Sequence, residues 1–110
     1  MESDFLQWLR DRLPAHPLLK LGIGDDAAVL ATAGRGDMVV TTDLIADGID
    51  FDLRHDEPRR IGHKALAINL SDLAAMAAVP VAALVSLALP RQGGEALAKR
   101  LYEGMLLLAA

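Results

Sequence analysis

The side chains best suited to chemistry in this sequence are carboxylates and hydroxyls that come from three separate segments. They are Asp26, Thr41, Thr42, Asp43 and Asp72. Mg²⁺ prefers oxygen ligands of these kinds, and an acidic protein that handles phosphates needs a cation to mediate the contact. Gly-Asp and Thr-Asp are also common in ordinary turns. A metal–phosphate site and plain turn chemistry therefore both remain open interpretations.

Two of these segments have backbones suited to ligand binding. The loop Gly22-Ile23-Gly24-Asp25-Asp26 contains two glycines, which let the chain turn tightly and approach a ligand. The segment Thr41-Thr42-Asp43 ends a β-branched run, and functional sites are often built where strands end.

Asp72 falls on the apolar face of a long predicted helix. That face is formed by Ile61, Ala65, Ile68 and Met76. Asn69 lies one turn before Asp72 on the same side. A carboxylate among apolar neighbours is costly unless it is paired or bound to a cation. An aspartate satisfied by backbone donors, or a partly exposed helix face, explains the pattern slightly better than a metal ligand does.

The elements that must position these groups follow from periodicity and from helix start and stop signals. They are a helix at 3–13, a loop at 14–26, strands at 27–31 and 38–42, a strand or irregular loop at 45–53, a helix at 56–78, a strand at 81–89 and a helix from 95 onward. An acidic start with Pro58 opens the long helix, and Pro80 ends it. This order predicts an α/β (α+β) domain in which a sheet packs with helices.

Composition and missing motifs exclude several classes of protein. The 110 residues are 53% hydrophobic, which suits one domain with a real core, and the formal net charge of −4 leaves no basic surface for nucleic acid. The absence of cysteine excludes disulfides and thiolate metal sites. P-loop, dinucleotide, zinc and nucleophile-elbow motifs are absent. With neither a signal peptide nor a membrane-spanning run evident, we expect a cytoplasmic protein with no membrane partner.

Three strings of the chain resemble the N-terminal motifs of thiamine-monophosphate kinases. They are GIGDDAAV at 22–29, TTD at 41–43 and KALAINLSDLAAM at 64–76, in the family's order and spacing. Tyr102-Glu103-Gly104 also fits. The resemblance places the family in a superfamily with aminoimidazole ribonucleotide synthetase, selenophosphate synthetase and a hydrogenase-maturation protein. It implies that 1–110 is an incomplete N-terminal ATP-binding domain with a mixed sheet, that it forms a homodimer through this sheet, and that a C-terminal domain is missing.

The resemblance also implies a reaction and a set of roles. Family members use ATP and several Mg²⁺ ions to phosphorylate thiamine monophosphate to thiamine diphosphate. By this resemblance the five oxygen-bearing residues named first would be Mg²⁺ ligands around the ATP phosphates. Asp25 would shape the loop, Asn69 would support the site, and Tyr102 would lie near the nucleotide. Such a reaction needs positioning and electrostatics, with no covalent enzyme intermediate.

The chain departs from the family pattern in three ways. Asp50, in Gly48-Ile49-Asp50-Phe51, stands where the family has a histidine of the substrate site, and an aspartate there would repel a substrate phosphate. Ala77 stands where the family prefers glycine, inside the predicted helix. Family members also continue well past this length, through a Gly-Gly-Asp motif that supplies another metal ligand.

These departures leave two alternatives to the kinase interpretation. One is a sibling enzyme of the superfamily with another substrate, and the other is a non-catalytic dimerisation module. If the kinase interpretation holds, we expect the 110-residue chain alone to be inactive. We also expect it to self-associate through the apolar run Val81–Leu89.

Overall fold

The computed structural model describes residues 2–21 and 27–109. Its elements are helix α1 (Glu2–Arg10), strands β1 (Leu19–Leu21) and β2 (Val29–Leu30), and helices α2 (Pro58–Ala75) and α3 (Gly94–Ala109). The two strands form a small antiparallel sheet. The combination of helices with an antiparallel sheet is consistent with the predicted α+β class. The glycine-rich loop at 22–26, with Asp25 and Asp26, lies outside the described residues.

Helix α2 begins where the sequence predicts, because Glu57 caps it. The Glu57 carboxylate accepts the Arg59 backbone N–H at 3.0 Å, and Pro58 occupies the first turn, where its missing N–H leaves no bond unmade. The same carboxylate also pairs with the guanidinium of Arg100 on α3, and Arg59 pairs with Glu103 of α3 at 3.2 Å. The start of α2 is therefore tied to α3 by charge as well as by packing.

Helices α2 and α3 cross at two glycines, which let their backbones touch. A Cβ atom placed on Gly62 would lie 1.9 Å from the Leu101 carbonyl oxygen, and one on Gly104 would lie 1.8 Å from the Arg59 carbonyl oxygen. Both distances are far below van der Waals contact, and both neighbours are backbone atoms that no rotamer change can move. Gly62 and Gly104 therefore set how closely α2 and α3 pack.

The core is small and lies between the three helices. Leu9 of α1 and Ala98 of α3 are 3% and 0% exposed, and Ile61 and Met105 are also buried. Helix α1 lies against α3, where the ring of Phe5 contacts that of Tyr102 with centroids 5.6 Å apart. The predicted helix at 3–13 is observed as Glu2–Arg10 followed by a turn.

The strands predicted at 38–42 and 81–89 are wrong as elements of this structure. Both segments lie among the described residues, and neither has regular secondary structure there. Their apolar side chains are open to solvent, with Leu84 95% and Val40 79% exposed. A β-strand needs a neighbouring strand to satisfy its backbone N–H and C=O groups, and the described part of the chain supplies none for these two segments.

Helix α2 ends earlier than predicted, at Ala75 instead of about Ala78, because of a left-handed C-cap. Ala77 has a φ of +54°, its N–H bonds to the Ala74 carbonyl at 3.0 Å, and the Ala78 N–H bonds to the Leu73 carbonyl at 2.9 Å. This is a Schellman arrangement, in which the left-handed residue is usually glycine. Ala77 therefore follows the helix instead of lying inside it, and its Cβ strains the turn.

Replacing Ala77 by glycine is expected to stabilise the protein by about 0.5–1 kcal/mol, because glycine adopts a positive φ without a steric penalty. The side chain of Ala77 is exposed, so little packing is lost. Urea unfolding of the two proteins would measure the change. The matched control is Ala74→Gly, at an exposed alanine before the end of the helix, which should destabilise by up to about 1 kcal/mol. Equal destabilisation by both substitutions would contradict the left-handed cap.

Candidate functional site

The structure brings Thr41 and Asp72 together from segments 31 residues apart. The Thr41 hydroxyl oxygen lies 3.5 Å from Asp72 Oδ2. Asp72 projects from the C-terminal half of α2, and Thr41 comes from the extended segment that runs past it. The separation is longer than an optimal hydroxyl–carboxylate hydrogen bond of about 2.7 Å. The two oxygens are thus neighbours without being tightly bonded to each other.

Asp72 is exposed, which differs from the expectation of a carboxylate held among apolar neighbours. Met76 on the same predicted face is also exposed, whereas Ile61 is buried. Among the described residues, the apolar face of α2 is buried at Ile61, half-buried at Ala65 and Ile68, and exposed at Met76. The partly exposed helix face considered as an alternative is the observed arrangement, so Asp72 has no burial cost to offset here.

The remaining predicted metal ligands are described only in part. Thr42 and Asp43 are exposed on the segment that carries Thr41, and Asp26 lies outside the described residues. Within residues 2–21 and 27–109, no group of three or more histidine or acidic side chains is arranged to hold a metal ion. The donor atoms are the hard oxygens that Mg²⁺ prefers. These oxygen atoms are of the type that Mg²⁺ binds, but the described side chains are too few to form a complete coordination site.

Asn69 supports the helix instead of pairing with Asp72. Its side-chain amide donates to the Ala65 carbonyl one turn earlier at 2.8 Å. This contact directs the partly buried side chain back along α2.

An open cleft of about 420 Å³ lies beside the N-terminal half of α2. It is lined by Asp50, Phe51, His55, Asp56, Glu57, Arg60, Ile61 and Lys64. Asp50, predicted to be in the substrate site, is on this lining. Its carboxylate Oδ2 accepts the backbone N–H of Ala46 at 2.7 Å. Arg60 and Lys64 were not predicted as site residues, although their spacing of four places them on one face of α2.

The loop that forms one wall of the cleft is closed by its own aspartates. Asp47 accepts the Leu53 N–H at 2.9 Å, and Asp56 accepts the Asp52 N–H at 2.7 Å. The side chain of Arg54 pairs with Asp52 at 3.0 Å, and this hydrogen bond lowers the pKa of the Asp52 carboxyl below its usual value. These carboxylates order the loop by bonding its own backbone N–H groups.

Tyr102, a residue of α3, packs against α1. Burial in this contact raises the pKa of its phenol above the ordinary value, because the charged phenolate would lose solvation. The ring neighbour on α1 is Phe5, which in turn stacks on Trp8 with centroids 6.0 Å apart. Tyr102 therefore helps dock α1, a role that sequence reasoning did not assign to it.

Comparison with known proteins shows which family this chain matches. Residues 24–110 match the family described as AIR synthase related protein, N-terminal domain. The chain belongs to this family. The match covers α2, α3 and the Thr41–Asp43 segment, and so includes every predicted site residue, whereas α1 lies outside it.

The curated proteins that are similar to this chain include several thiamine-monophosphate kinases. The protein of that name from Rhodopirellula baltica is 46% identical over 96% of this chain and 36% of its own length. Those from Bacillus subtilis and Escherichia coli are 40% and 43% identical over 94% and 73% of this chain. The chain spans about a third of the length of the first two relatives. No solved structure matches the chain.

Within the described ranges 2–21 and 27–109, no helix combines the length and the apolar character needed to cross a membrane.

Proposed function

We propose that this chain is the N-terminal, ATP-binding part of a thiamine-monophosphate kinase, which transfers the γ-phosphate of ATP to thiamine monophosphate and forms thiamine diphosphate. The observation that carries the proposal is the identity of 40–46% with kinases of that name across nearly the whole chain. The proximity of Thr41 and Asp72 supports it, because it places two of the five proposed ligands side by side.

The proposed metal ligands are Asp26, Thr41, Thr42, Asp43 and Asp72. Bound Mg²⁺ would supply charge neutralisation between the ATP phosphates and the phosphate of the acceptor. The exposure of Asp43 and Asp72 leaves their carboxylates accessible to such a ligand. Asp25 would shape the glycine-rich loop, Asn69 would stiffen α2 below Asp72, and Tyr102 would contribute near the nucleotide through the position of α3.

The roles of this chain's residues are to bind and to orient. Carboxylates on α2 and on the segment at 41–43 hold one polyanion, and the cleft at the N-terminal half of α2 lies further along the same helix. Two substrates placed along one rigid helix would keep a constant separation, and positioning of this kind supplies much of the rate in phosphoryl transfer.

We propose that a longer polypeptide chain and a partner subunit complete this domain. Residues 1–110 would form the incomplete N-terminal domain of a longer cytoplasmic enzyme, and the exposed apolar segments at 38–44 and 79–89 would join a mixed sheet in a homodimer. A strand edge that is paired across a dimer satisfies backbone groups that the single chain leaves open.

The test is product formation by the natural gene product that carries this sequence. Incubation with ATP, thiamine monophosphate and Mg²⁺ is expected to give thiamine diphosphate, detected by chromatography, and EDTA should abolish the product. The 110-residue chain alone is expected to give none. ATP consumption with a different phosphorylated acceptor, and none with thiamine monophosphate, would favour the sibling enzyme that Asp50 suggests. Absence of Mg²⁺-dependent ATP binding would leave the non-catalytic module.

A further inference from the structure

The carboxylate of Asp50 is already committed to the backbone of its own loop. Its Oδ2 accepts the Ala46 N–H at 2.7 Å, and the Asp50 N–H donates to the Ala46 carbonyl at 2.9 Å. Gly48, with a φ of +84°, makes the intervening turn, and its N–H bonds to the Phe51 carbonyl at 2.7 Å. Asp50 thus closes a turn from both its side chain and its main chain.

The closed turn positions the ammonium group of Lys64 at the cleft. The ammonium group of Lys64 donates to the main-chain carbonyl of Asp50 at 3.0 Å, across 14 residues of sequence. Lys64 is exposed and lines the cleft together with Arg60, one helical turn earlier. A carbonyl leaves the positive charge of the lysine uncompensated, unlike a carboxylate partner, so the ammonium remains available to an anion.

The other acidic groups of the cleft are held by donors of the protein. Glu57 pairs in charge with the guanidinium groups of Arg59 and Arg100, whereas the Asp52 N–H directs the Asp56 carboxylate towards its own loop without neutralising it. The first turn of α2 also opens at this cleft, and the positive end of a helix dipole favours an anion there. The geometry favours a phosphate group beside Lys64, even though three carboxylates line the cavity.

We propose that Asp50 is a positioning residue and that Lys64 binds the phosphate of the acceptor substrate. In this view the aspartate that replaces the family's histidine closes the Ala46–Phe51 turn, and the turn presents a carbonyl that fixes the Lys64 ammonium at the cleft. The assignment rests on the proposed kinase function for the identity of the acceptor. The closure of the turn by Asp50 does not depend on that function.

Three variants of the natural gene product separate these roles. Asp50→Asn keeps an oxygen acceptor for the Ala46 N–H and removes the charge, Asp50→Ala removes both, and Lys64→Met removes the cation while keeping a long side chain. Asp4→Ala, at an exposed aspartate of α1, is the matched control for the loss of a surface carboxylate. The readouts are hydrogen exchange at the Ala46 amide and the KM values for thiamine monophosphate and for ATP.

Lys64→Met is expected to raise the KM for thiamine monophosphate about tenfold or more, the loss typical of one hydrogen bond between charged groups. The KM for ATP should change less than about twofold. Asp50→Ala should speed exchange at Ala46 about tenfold and raise the KM for thiamine monophosphate, whereas Asp50→Asn should restore both towards the unmodified protein.

Distinct results would overturn each part. Unchanged Ala46 exchange in Asp50→Ala would refute the closure of the turn. An unchanged KM for thiamine monophosphate in Lys64→Met would refute the phosphate contact, and a KM raised equally by Asp50→Asn and Asp50→Ala would show that the charge of Asp50 itself meets the substrate. If the unmodified protein makes no thiamine diphosphate, the proposed function and the role of Lys64 fail together, and Ala46 exchange still decides the role of Asp50.

Discussion

Replacing Asp72 by asparagine is expected to weaken Mg²⁺-dependent ATP binding at least about tenfold, because the substitution would remove one negative ligand from the proposed Mg²⁺ site. The amide keeps the size of the side chain and an oxygen that can still face Thr41. Calorimetric titration of ATP into the natural gene product, with Mg²⁺ and again with EDTA, measures the effect. The difference between the two titrations should shrink sharply in the variant.

The exposure of Asp72 makes this experiment easy to interpret. A surface carboxylate with no packing role can be changed with little effect on stability, so lost binding would not reflect unfolding. Asp4→Asn on α1 is the matched control, since it removes the same charge far along the chain from the 41–43 segment. ATP binding that is unchanged in Asp72→Asn would remove Asp72 from the set of metal ligands. Equal weakening by both variants would point to general electrostatics.

Replacing Gly104 by alanine is expected to destabilise the protein by about 3 kcal/mol or more, at or above the upper end of what overpacking usually costs. The added methyl would overlap the Arg59 carbonyl, a backbone atom at the start of α2. Relief would require α2 and α3 to separate, which would open the packing around Ile61 and Ala98. A domain with typical stability of about 5–15 kcal/mol would lose a large part of it.

Thermal or urea unfolding of the natural gene product measures this change, and Gly34→Ala is its control. A Cβ on Gly34 meets nothing within 4 Å, so that variant bears only the cost of a φ of +75°, about 1 kcal/mol. The same reasoning predicts a loss of similar size for Gly62→Ala, whose methyl would overlap the Leu101 carbonyl. Losses of about 1 kcal/mol at all three positions would show that the helices do not touch through their backbones.

Only the part of the candidate site that carries recognisable local strings can be predicted from the sequence. Asp72 and Thr41 lie in recognisable strings and carry oxygen atoms of the kind that bind Mg²⁺, and the structure brings these two side chains together. Lys64 was not predicted as a binding residue, because a single lysine on a polar helix face has no distinctive sequence pattern. Its hydrogen bond to the carbonyl of Asp50 is visible only in the structure. The use of Asp50 as a turn-closing group was missed for the same reason, since the bond to Ala46 depends on the path of the loop.

The helices and the family of this protein can be predicted from the order of its amino acids alone. Helical hydrogen bonds join residues four apart, so periodicity, the Glu57-Pro58 start and the proline breaks mark α1, α2 and α3 with no knowledge of distant contacts. The strings around Asp26, Asp43 and Asp72 are each contiguous in sequence, and the match over residues 24–110 agrees with them.

Which segments form strands, and where two backbones touch, depends on contacts between residues that are distant in sequence. The segments at 38–42 and 81–89 have the composition of strands and remain unpaired in the described part of the chain, because a ladder needs a partner from elsewhere. Gly62 and Gly104 are separated by more than forty residues, and their shared importance arises only where α2 crosses α3. The sequence pattern predicts that Ala77 is helical, and only the structure shows that it is left-handed and lies after the end of α2.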